Sequence, residues 1–464
     1  MLKESGFLKK ELGHEPTKDQ AEAMALLSNF LDGTAAADAF VLRGYAGTGK
    51  TSLVRAIVRW LVKSKQSYLL MAPTGRAAKV LSSYTGKPAY TIHRSIYRRS
   101  DDSFGGGRFV LQENRKKGAI LIVDEASMIS DEGGFGGASV LRDLIEYCQN
   151  GVENKLLFIG DLAQLPPIGS VLSTALNPKK LKSNFDLHVT SCDMREVVRQ
   201  ALDSGILLNA TRMRTQLATK EYQPRFGLSK DVLKVDPYEL TEALSDSYAD
   251  QGDVEVIVLT RSNKRANQFN EQIRRQILWR EEEIEAGDRL MVVKNNYHWA
   301  AKFQIADFIA NGDMIEIRKI IRTEEMYGLR FADAELLLLD SEKIKVFEAK
   351  IILDVLHHNG PSLGDAKLTE MREAVVSEYM DLNKSDRRKK LKENPYLNAL
   401  QVKFAYAVTC HKAQGGQWKE VFIDQGYLTE DMLNQEYLRW LYTAFTRATE
   451  KVYLVQFRDD FFEV

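Results

Sequence analysis

At 464 residues and 52.6 kDa the chain is long enough for about three domains of roughly 150 residues each, which excludes a small disulfide-stapled scaffold. A composition of 44% hydrophobic and 28% charged residues, with 10 Pro and 30 Gly, also excludes collagen-like, coiled-coil and broadly disordered chains. Lys+Arg and Asp+Glu both number 64, so the net charge is zero and only the distribution of charge can speak for or against a polyanionic partner.

No apolar run reaches the roughly 18 to 20 residues that span a bilayer, and the opening MLKESGFLKKELGHEP has charges where a signal peptide needs an apolar core. A cytoplasmic chain with no membrane partner is expected. Cys148, Cys192 and Cys410 form no CxxC pair and have no histidine at zinc spacing, so they read as reduced, buried thiols.

In chain order, short apolar runs recur at AFVLRG (39–44), SYLLMA (67–72), AILIVDE (119–125) and LLFIGD (156–161). Runs that do not alternate suit strands buried on both faces of a parallel sheet. Between them TSLVRAIVRWLVK (51–63) places Leu53, Ala56, Ile57, Trp60 and Leu61 on one helical face. The fold class is α/β. A second series follows at VEVIVLT (254–260), FAYAVT (404–409), EVFID (420–424) and KVYLVQF (451–457), with Ser262 as N-cap of a helix over 263–280. The stretch separating that helix from 404 is too long for a connection within one domain. It opens with RLMVVKN (289–295), DMIEIRKI (313–320) and ELLLLDS (335–341), which suggest a small β-barrel, and continues as a charged helical stretch over 368–393 ending in DRRKKLKE. A solvated helix face is the commoner reading of such a basic run, DNA contact the sharper one. EGGFGG (132–137) reads as a loop.

Chemistry concentrates first in GYAGTGKT (44–51), which fits GxxxxGK[ST] between a strand and a helix. Gly44, Gly47, Thr48 and Gly49 let backbone N–H groups wrap phosphates at a helix N-terminus. Lys50 is expected to reach the β and γ phosphates of ATP, and Thr51 to ligate Mg²⁺. At the end of the apolar run AILIVDE, Asp124 would hold Mg²⁺ through water and Glu125 would polarise the attacking water. Gln164, in GDLAQLPPIGS after Asp161, can touch a γ-phosphate. Arg199 and Arg447 could each reach across from the second half to a transferring phosphoryl group, although a lone arginine is more often a surface ion-pair partner.

The order PTKDQ (16–20), GYAGTGKT, APTGRAAKVL (72–81), TIHRSIY (91–97), VDEASM, GDLAQLPPIG, VVRQ, VTCHKAQGGQW (408–418) and YTAFTRA resembles the superfamily 1B DNA helicases, RecD-like and bacteriophage Dda-like, over nearly the whole chain. The resemblance implies two RecA-like P-loop domains, ATP and Mg²⁺ in the cleft between them, and single-stranded DNA crossing both. It implies that Gln20 reads adenine, that Arg199 and Arg447 engage the γ-phosphate, and that Thr74, His93, Thr409, His411 and Lys412 contact the strand; His93 could equally be a satisfied core histidine. It further implies 5′ to 3′ movement by a monomer acting on single strands and duplex junctions, with single-strand-binding or exonuclease partners left open. Domain boundaries are expected at 1–190 for the first RecA-like domain, 191–284 with 403–464 for the second, and 285–402 for an SH3-like accessory domain. A strand-separating hairpin pin is expected at 94–118, with Phe104 and Phe109 either stacking on the junction or packing beneath the hairpin. Three rivals stay open: a translocase subunit of an exonuclease complex, an RNA helicase, and a nuclease suggested by Asp340 with Glu348, Ala349 and Lys350.

Overall fold

The computed structural model describes residues 2–99, 109–131, 139–167, 169–198, 203–303, 309–339, 345–360 and 362–463. The first sheet comprises β1 (Ala39–Gly44), β2 (Tyr68–Ala72), β3 (Ala89–Thr91), β6 (Ile120–Val123), β7 (Lys155–Gly160) and β8 (Val189–Met194). All pairings are parallel, in the order β3-β2-β6-β7-β1-β8. Strand residues alternate between two cores, as a sheet covered by helices on both faces requires. Phe40 and Leu42 pack with Leu53, Ile57 and Leu61 of the helix Lys50–Lys63, whereas Ala39 and Val41 pack with Leu144 and Phe158 on the opposite face. Because β8 pairs with β1 along its length, the first sheet runs to Met194, and the expected boundary after 190 falls inside a strand.

Within the interval expected to hold a pin, β4 (Tyr97–Arg99) and β5 (Phe109–Leu111) pair antiparallel, Arg99 opposite Phe109. Phe104, the Phe109 side chain and the 132–137 glycine stretch lie outside the described residues.

The second sheet combines β9 (Val232–Val235), β10 (Val256–Thr260), β16 (Ala407–Thr409), β17 (Trp418–Asp424) and β18 (Ala448–Val455), parallel in the order β16-β10-β17-β18-β9. Inserted between β10 and β16 is a closed barrel of β11 (Arg289–Val292), β12 (Met314–Met326), β13 (Leu329–Leu338), β14 (Lys345–Ile352) and β15 (Leu400–Phe404). The apolar run 404–409, expected as one strand, is therefore broken: its first residue closes the barrel and its last three enter the sheet. Asn270 makes the break possible. Its carbonyl accepts from the N–H groups of Tyr406 and Ala407 at 3.0 and 2.8 Å, and its amide donates to the Ala407 carbonyl at 2.8 Å, satisfying backbone that a buried kink otherwise leaves unpaired. The barrel reaches Phe404, two residues past the expected 402.

Asp288, fully buried, anchors barrel to sheet by accepting from Arg274, Arg280 and Tyr406. Removing one partner of such a buried set costs on the order of 3–5 kcal/mol. The charged stretch forms two helices, Asp365–Ser377 and Lys384–Glu393; Met371 and Val375 of the first are buried, but in the second Leu391 is the buried residue and the basic side chains face outward. Among the described residues no helix is long and apolar enough to cross a membrane. The three cysteines are buried and unpaired, and burial pushes Cys148 and Cys410 up to about 12.

Candidate functional site

The glycine loop leaves β1 and enters the helix Lys50–Lys63 through Gly47 and Gly49, at φ 75° and 85°, a backbone region that favours glycine. A Cβ on Gly49 would stand 2.4 Å from Gln20 Nε2, so the loop approaches that side chain as only glycine permits. Gln20 itself is fully buried and doubly used. Its Oε1 accepts from Thr17 N as half of a capping box on the helix Lys18–Leu31, and its Nε2 donates to the Thr48 carbonyl at 3.0 Å. Gln20 thus lies beneath the loop and braces it.

Lys50 Nζ donates to the carbonyls of Gly44 and Tyr45 and lies 3.9 Å from Asp161 Oδ2. Thr51, one residue on, is exposed. Asp124 accepts from the Tyr84 hydroxyl at 2.8 Å and from Glu125 N at 2.9 Å. Glu125 takes a left-handed backbone, φ 51°, at the end of the strand. Burial raises the pKa of both carboxyls; Tyr84 and the Glu125 N–H oppose this at Asp124, Arg447 and Lys50 at Glu125.

From the second domain, Arg447 brings its guanidinium to 3.9 Å from Glu125. It is 4% exposed and held by the carbonyls of Thr443 and Gly416. Five residues earlier, the buried Tyr442 hydroxyl donates to Asp161 at 2.6 Å and accepts from Ala46 N at 2.8 Å. Gln164 is buried with no partner for its Oε1 among the described residues. The next residue, Leu165, donates its N–H to Thr443 and accepts at its carbonyl from Gln414. Arg199 lies outside the described residues.

Sequence reasoning passed over Tyr84, Tyr442, Thr443 and Gln414. Tyr442 and Thr443 stood inside the YTAFTRA motif, but nothing in local spacing marks a side chain whose partner is 281 positions away.

Of the residues expected to meet a strand, Thr74 caps the helix Gly75–Thr85 and lies beside Gly415, where a Cβ would approach Ala77 Cβ to 2.6 Å and Thr74 Oγ1 to 3.2 Å. Arg76 covers the Trp418 ring at 3.9 Å, so the segments TGRAA and QGGQW close on one another across the domains. Thr409 immediately precedes the short helix Cys410–Ala413, which carries His411 and Lys412. Thr409 and Lys412 line a small depression with Lys403 and Asn263, and no carboxylate lines it. Burial depresses both lysines to about 8, and Lys412 adds to the effect at Lys403. His93 stands apart in the helix Ile92–Ile96, its ring 5.5 Å from Tyr97 and its pKa lowered by burial against the opposing pull of Asp143. Lys350, from the rival nuclease pattern, is buried and paired with Glu324 and Asp333, Asp340 lies outside the described residues, and the described residues hold no cluster of three potential metal ligands.

Fold and site together define a P-loop motor of two RecA-like domains, with the nucleotide cradle in one and a cation presented by the other. The domain-family matches agree: an AAA domain over residues 29–170 and a UvrD-like helicase C-terminal domain over 404–455. An uncharacterised protein of Acanthamoeba polyphaga mimivirus is 24% identical over 94% of this chain and 98% of its own. The ATP-dependent RecD2 DNA helicase of Deinococcus radiodurans is 24% identical over 92% of this chain but 48% of its own, and the ATP-dependent DNA helicase dda of Enterobacteria phage T4 is 32% identical over 34% of each. This chain thus spans about half of the RecD2 relative. A crystal structure of a Pif1 helicase from Bacteroides aligns over 96% of this chain and 93% of its own at 15% identity and a TM-score of 0.46. The chain is thus similar to ATP-dependent DNA helicases of the RecD and Dda kind.

Proposed function

We propose that the chain is an ATP-dependent DNA helicase that moves 5′ to 3′ along single-stranded DNA and parts duplexes at a junction. The observation that carries the reading is the cleft itself: Arg447 and Tyr442 of the second domain reach Glu125 and Asp161 beside the glycine loop of the first. Hydrolysis at such a site must change how the two domains meet, and the strand-facing segments TGRAA and QGGQW meet across the same boundary.

Lys50 would move from the loop carbonyls to the β and γ phosphates, and the loop N–H groups would hold the remaining charge. Glu125, its pKa raised by burial, is suited to take a proton from the attacking water. Arg447 would stabilise charge on the transferring phosphoryl group, and Arg199 is the second candidate for that task. Gln164 and Leu165 would relay the state of the γ-phosphate to Gln414 beside the strand. The donor set fits a divalent cation: Thr51 faces outward beside Lys50, and Asp124 is oriented by Tyr84, so these two residues would hold Mg²⁺. When bound it would neutralise phosphate charge.

Thr74, Thr409, His411 and Lys412 are proposed to hold the strand, with His93 at its margin. Alternating grip by two domains that close with ATP and reopen after hydrolysis gives directed movement. The β4–β5 ribbon lies in the interval where a pin is expected and is the proposed strand separator. A duplex with either a 5′ or a 3′ single-stranded tail tests the whole reading, with ATPase followed in the same reaction. Unwinding from the 5′ tail alone is expected; unwinding from the 3′ tail would overturn the polarity, and DNA-stimulated hydrolysis without unwinding would favour a translocase subunit.

A further inference from the structure

Along PTKDQ, where the helix Lys18–Leu31 begins, polar groups are engaged by the chain itself. The Thr17 hydroxyl accepts from Gln20 N, one oxygen of Asp19 accepts from the N–H groups of Arg195 and Glu196 at 2.6 and 2.8 Å, and Lys18 N donates to the Glu196 carboxylate at 3.1 Å. Gln20 completes the set. A glutamine amide offers one oxygen as acceptor and one NH₂ as donor. Here Oε1 holds Thr17 N at 3.1 Å and Nε2 holds the Thr48 carbonyl at 3.0 Å, while the residue is 0% exposed. The glycine loop lies directly on this amide, since a Cβ on Gly49 would stand 2.4 Å from Nε2. Turning the amide outward would unmake the capping box and take the donor from the carbonyl of the buried Thr48, and an unsatisfied buried carbonyl costs more than one hydrogen bond to a ligand returns. The other side chains nearest the loop's left-handed glycines are apolar. Leu207 Cδ1 and Val197 Cγ1 come within 3.2 and 3.3 Å of the place of a Cβ on Gly47, and Val198 Cγ2 within 3.4 Å of one on Gly49. Methyl groups discriminate weakly between the polar edges of different bases.

We propose that PTKDQ is a brace rather than a base reader: Gln20 is a positioning residue of the phosphate loop, and the site accepts nucleoside triphosphates of any base. Gln20 then does not read adenine, the role that the helicase resemblance implies for it. Given that the cleft is the nucleotide site of a motor, the reading on which this rests, recognition falls to the triphosphate, which Lys50 and the loop N–H groups meet alike in all four nucleotides. The contrast is large enough to measure. A site that hydrogen-bonds one group of its substrate rejects an analogue lacking it by about 10⁴- to 10⁵-fold, whereas apolar contact alone discriminates far less.

The test measures DNA-stimulated hydrolysis of ATP, GTP, CTP and UTP by the full chain with Mg²⁺, and needs no variant. The four kcat/KM values should agree within about tenfold, and a wider preference for ATP overturns the proposal. Hydrolysis of none of the four removes the nucleotide-site reading itself, a different failure. Tripolyphosphate, which carries no base, supplies a second arm as a competitive inhibitor. Gln20→Met keeps the length of the side chain without its donor and acceptor. It should weaken tripolyphosphate inhibition and raise the KM of all four nucleotides by one common factor, about fivefold for a lost hydrogen bond. A rise confined to ATP with unchanged tripolyphosphate inhibition restores the adenine-reading role, and unchanged inhibition with unchanged KM values leaves Gln20 a helix cap only; either result overturns the positioning role.

Discussion

The hydroxyl of Tyr442, on a helix of the second domain, donates to Asp161 of the first at 2.6 Å while accepting the N–H of Ala46 in the glycine loop. One buried oxygen thus ties together the phosphate loop, the strand end next to Lys50 and the helix that leads to Arg447.

Tyr442→Phe deletes that oxygen and leaves Ala46 N and Asp161 Oδ2 to find other partners. Stability should fall by about 1–3 kcal/mol, the cost of buried groups left unsatisfied. Hydrolysis stimulated by single-stranded DNA should fall further than the basal rate. Chemical denaturation and paired ATPase assays check this, and an equal loss of both rates would show that the contact is structural only.

Lys50→Ala and Glu125→Gln should both stop turnover, for different reasons. Lys50→Ala removes the cation that meets the phosphates, so nucleotide affinity drops with the rate. Glu125→Gln keeps shape and hydrogen bonding but removes the base, so kcat should fall about 10²- to 10⁴-fold while nucleotide binding persists. Loss of nucleotide binding in Glu125→Gln would assign the carboxylate to binding instead.

Arg447 approaches Glu125 from the other domain. Arg447→Ala should lower kcat by about 10³-fold or more, the range expected of a cation placed on a transferring phosphoryl group, with little change in the KM for ATP. Arg447→Lys should recover little, since a point charge does not reproduce the fork that also holds the carbonyls of Thr443 and Gly416. A variant whose KM rises while kcat stays constant would contradict this role.

Lys403 and Lys412, both held near 8 by burial, give the proposed strand-binding edge a pH dependence of defined sign. Below about 8 both ammonium groups are charged and attract phosphate; as pH rises through 8 they lose their protons, so affinity for single-stranded DNA should fall between pH 7 and 9 and the salt dependence should flatten. Stability moves the other way. A lysine whose folded pKa lies below its unfolded 10.5 binds protons more weakly in the native state, so the contribution of these two residues to stability rises between about pH 8 and 10.5. Lys412→Arg should hold affinity at pH 9, and binding that stays level from pH 7 to 9 in the unsubstituted protein would remove these lysines from the strand site.

The phosphate loop, the acidic strand end and the central strands of both sheets were legible because each is local: a glycine pattern, a run of apolar residues, a polar residue at a strand end; the strands Ala89–Thr91, Val189–Met194 and Val232–Val235, short or only partly apolar, were not. The break at 404–409 was not, since its cause is the Asn270 side chain more than 130 positions earlier. The fourth barrel strand, Lys345–Ile352, was missed because its KVFEAKII mixes charges with apolar residues in a half-buried pattern. Gln20 illustrates a third kind of limit. Its motif marked it as part of the nucleotide site, but the capping box and the Thr48 contact that bury it appear only when two helices and a loop are assembled.

Ala163 and Leu165 follow β7 of the first domain, yet both are buried in the hydrophobic core of the second, beside Tyr442 and Leu441. The two halves of the motor therefore share a ball-and-socket joint rather than merely facing each other across a gap. Pulling a leucine-sized ball from its socket costs about 1.5–3 kcal/mol of lost burial. Through the nucleotide cycle the two lobes are accordingly expected to stay joined at Leu165.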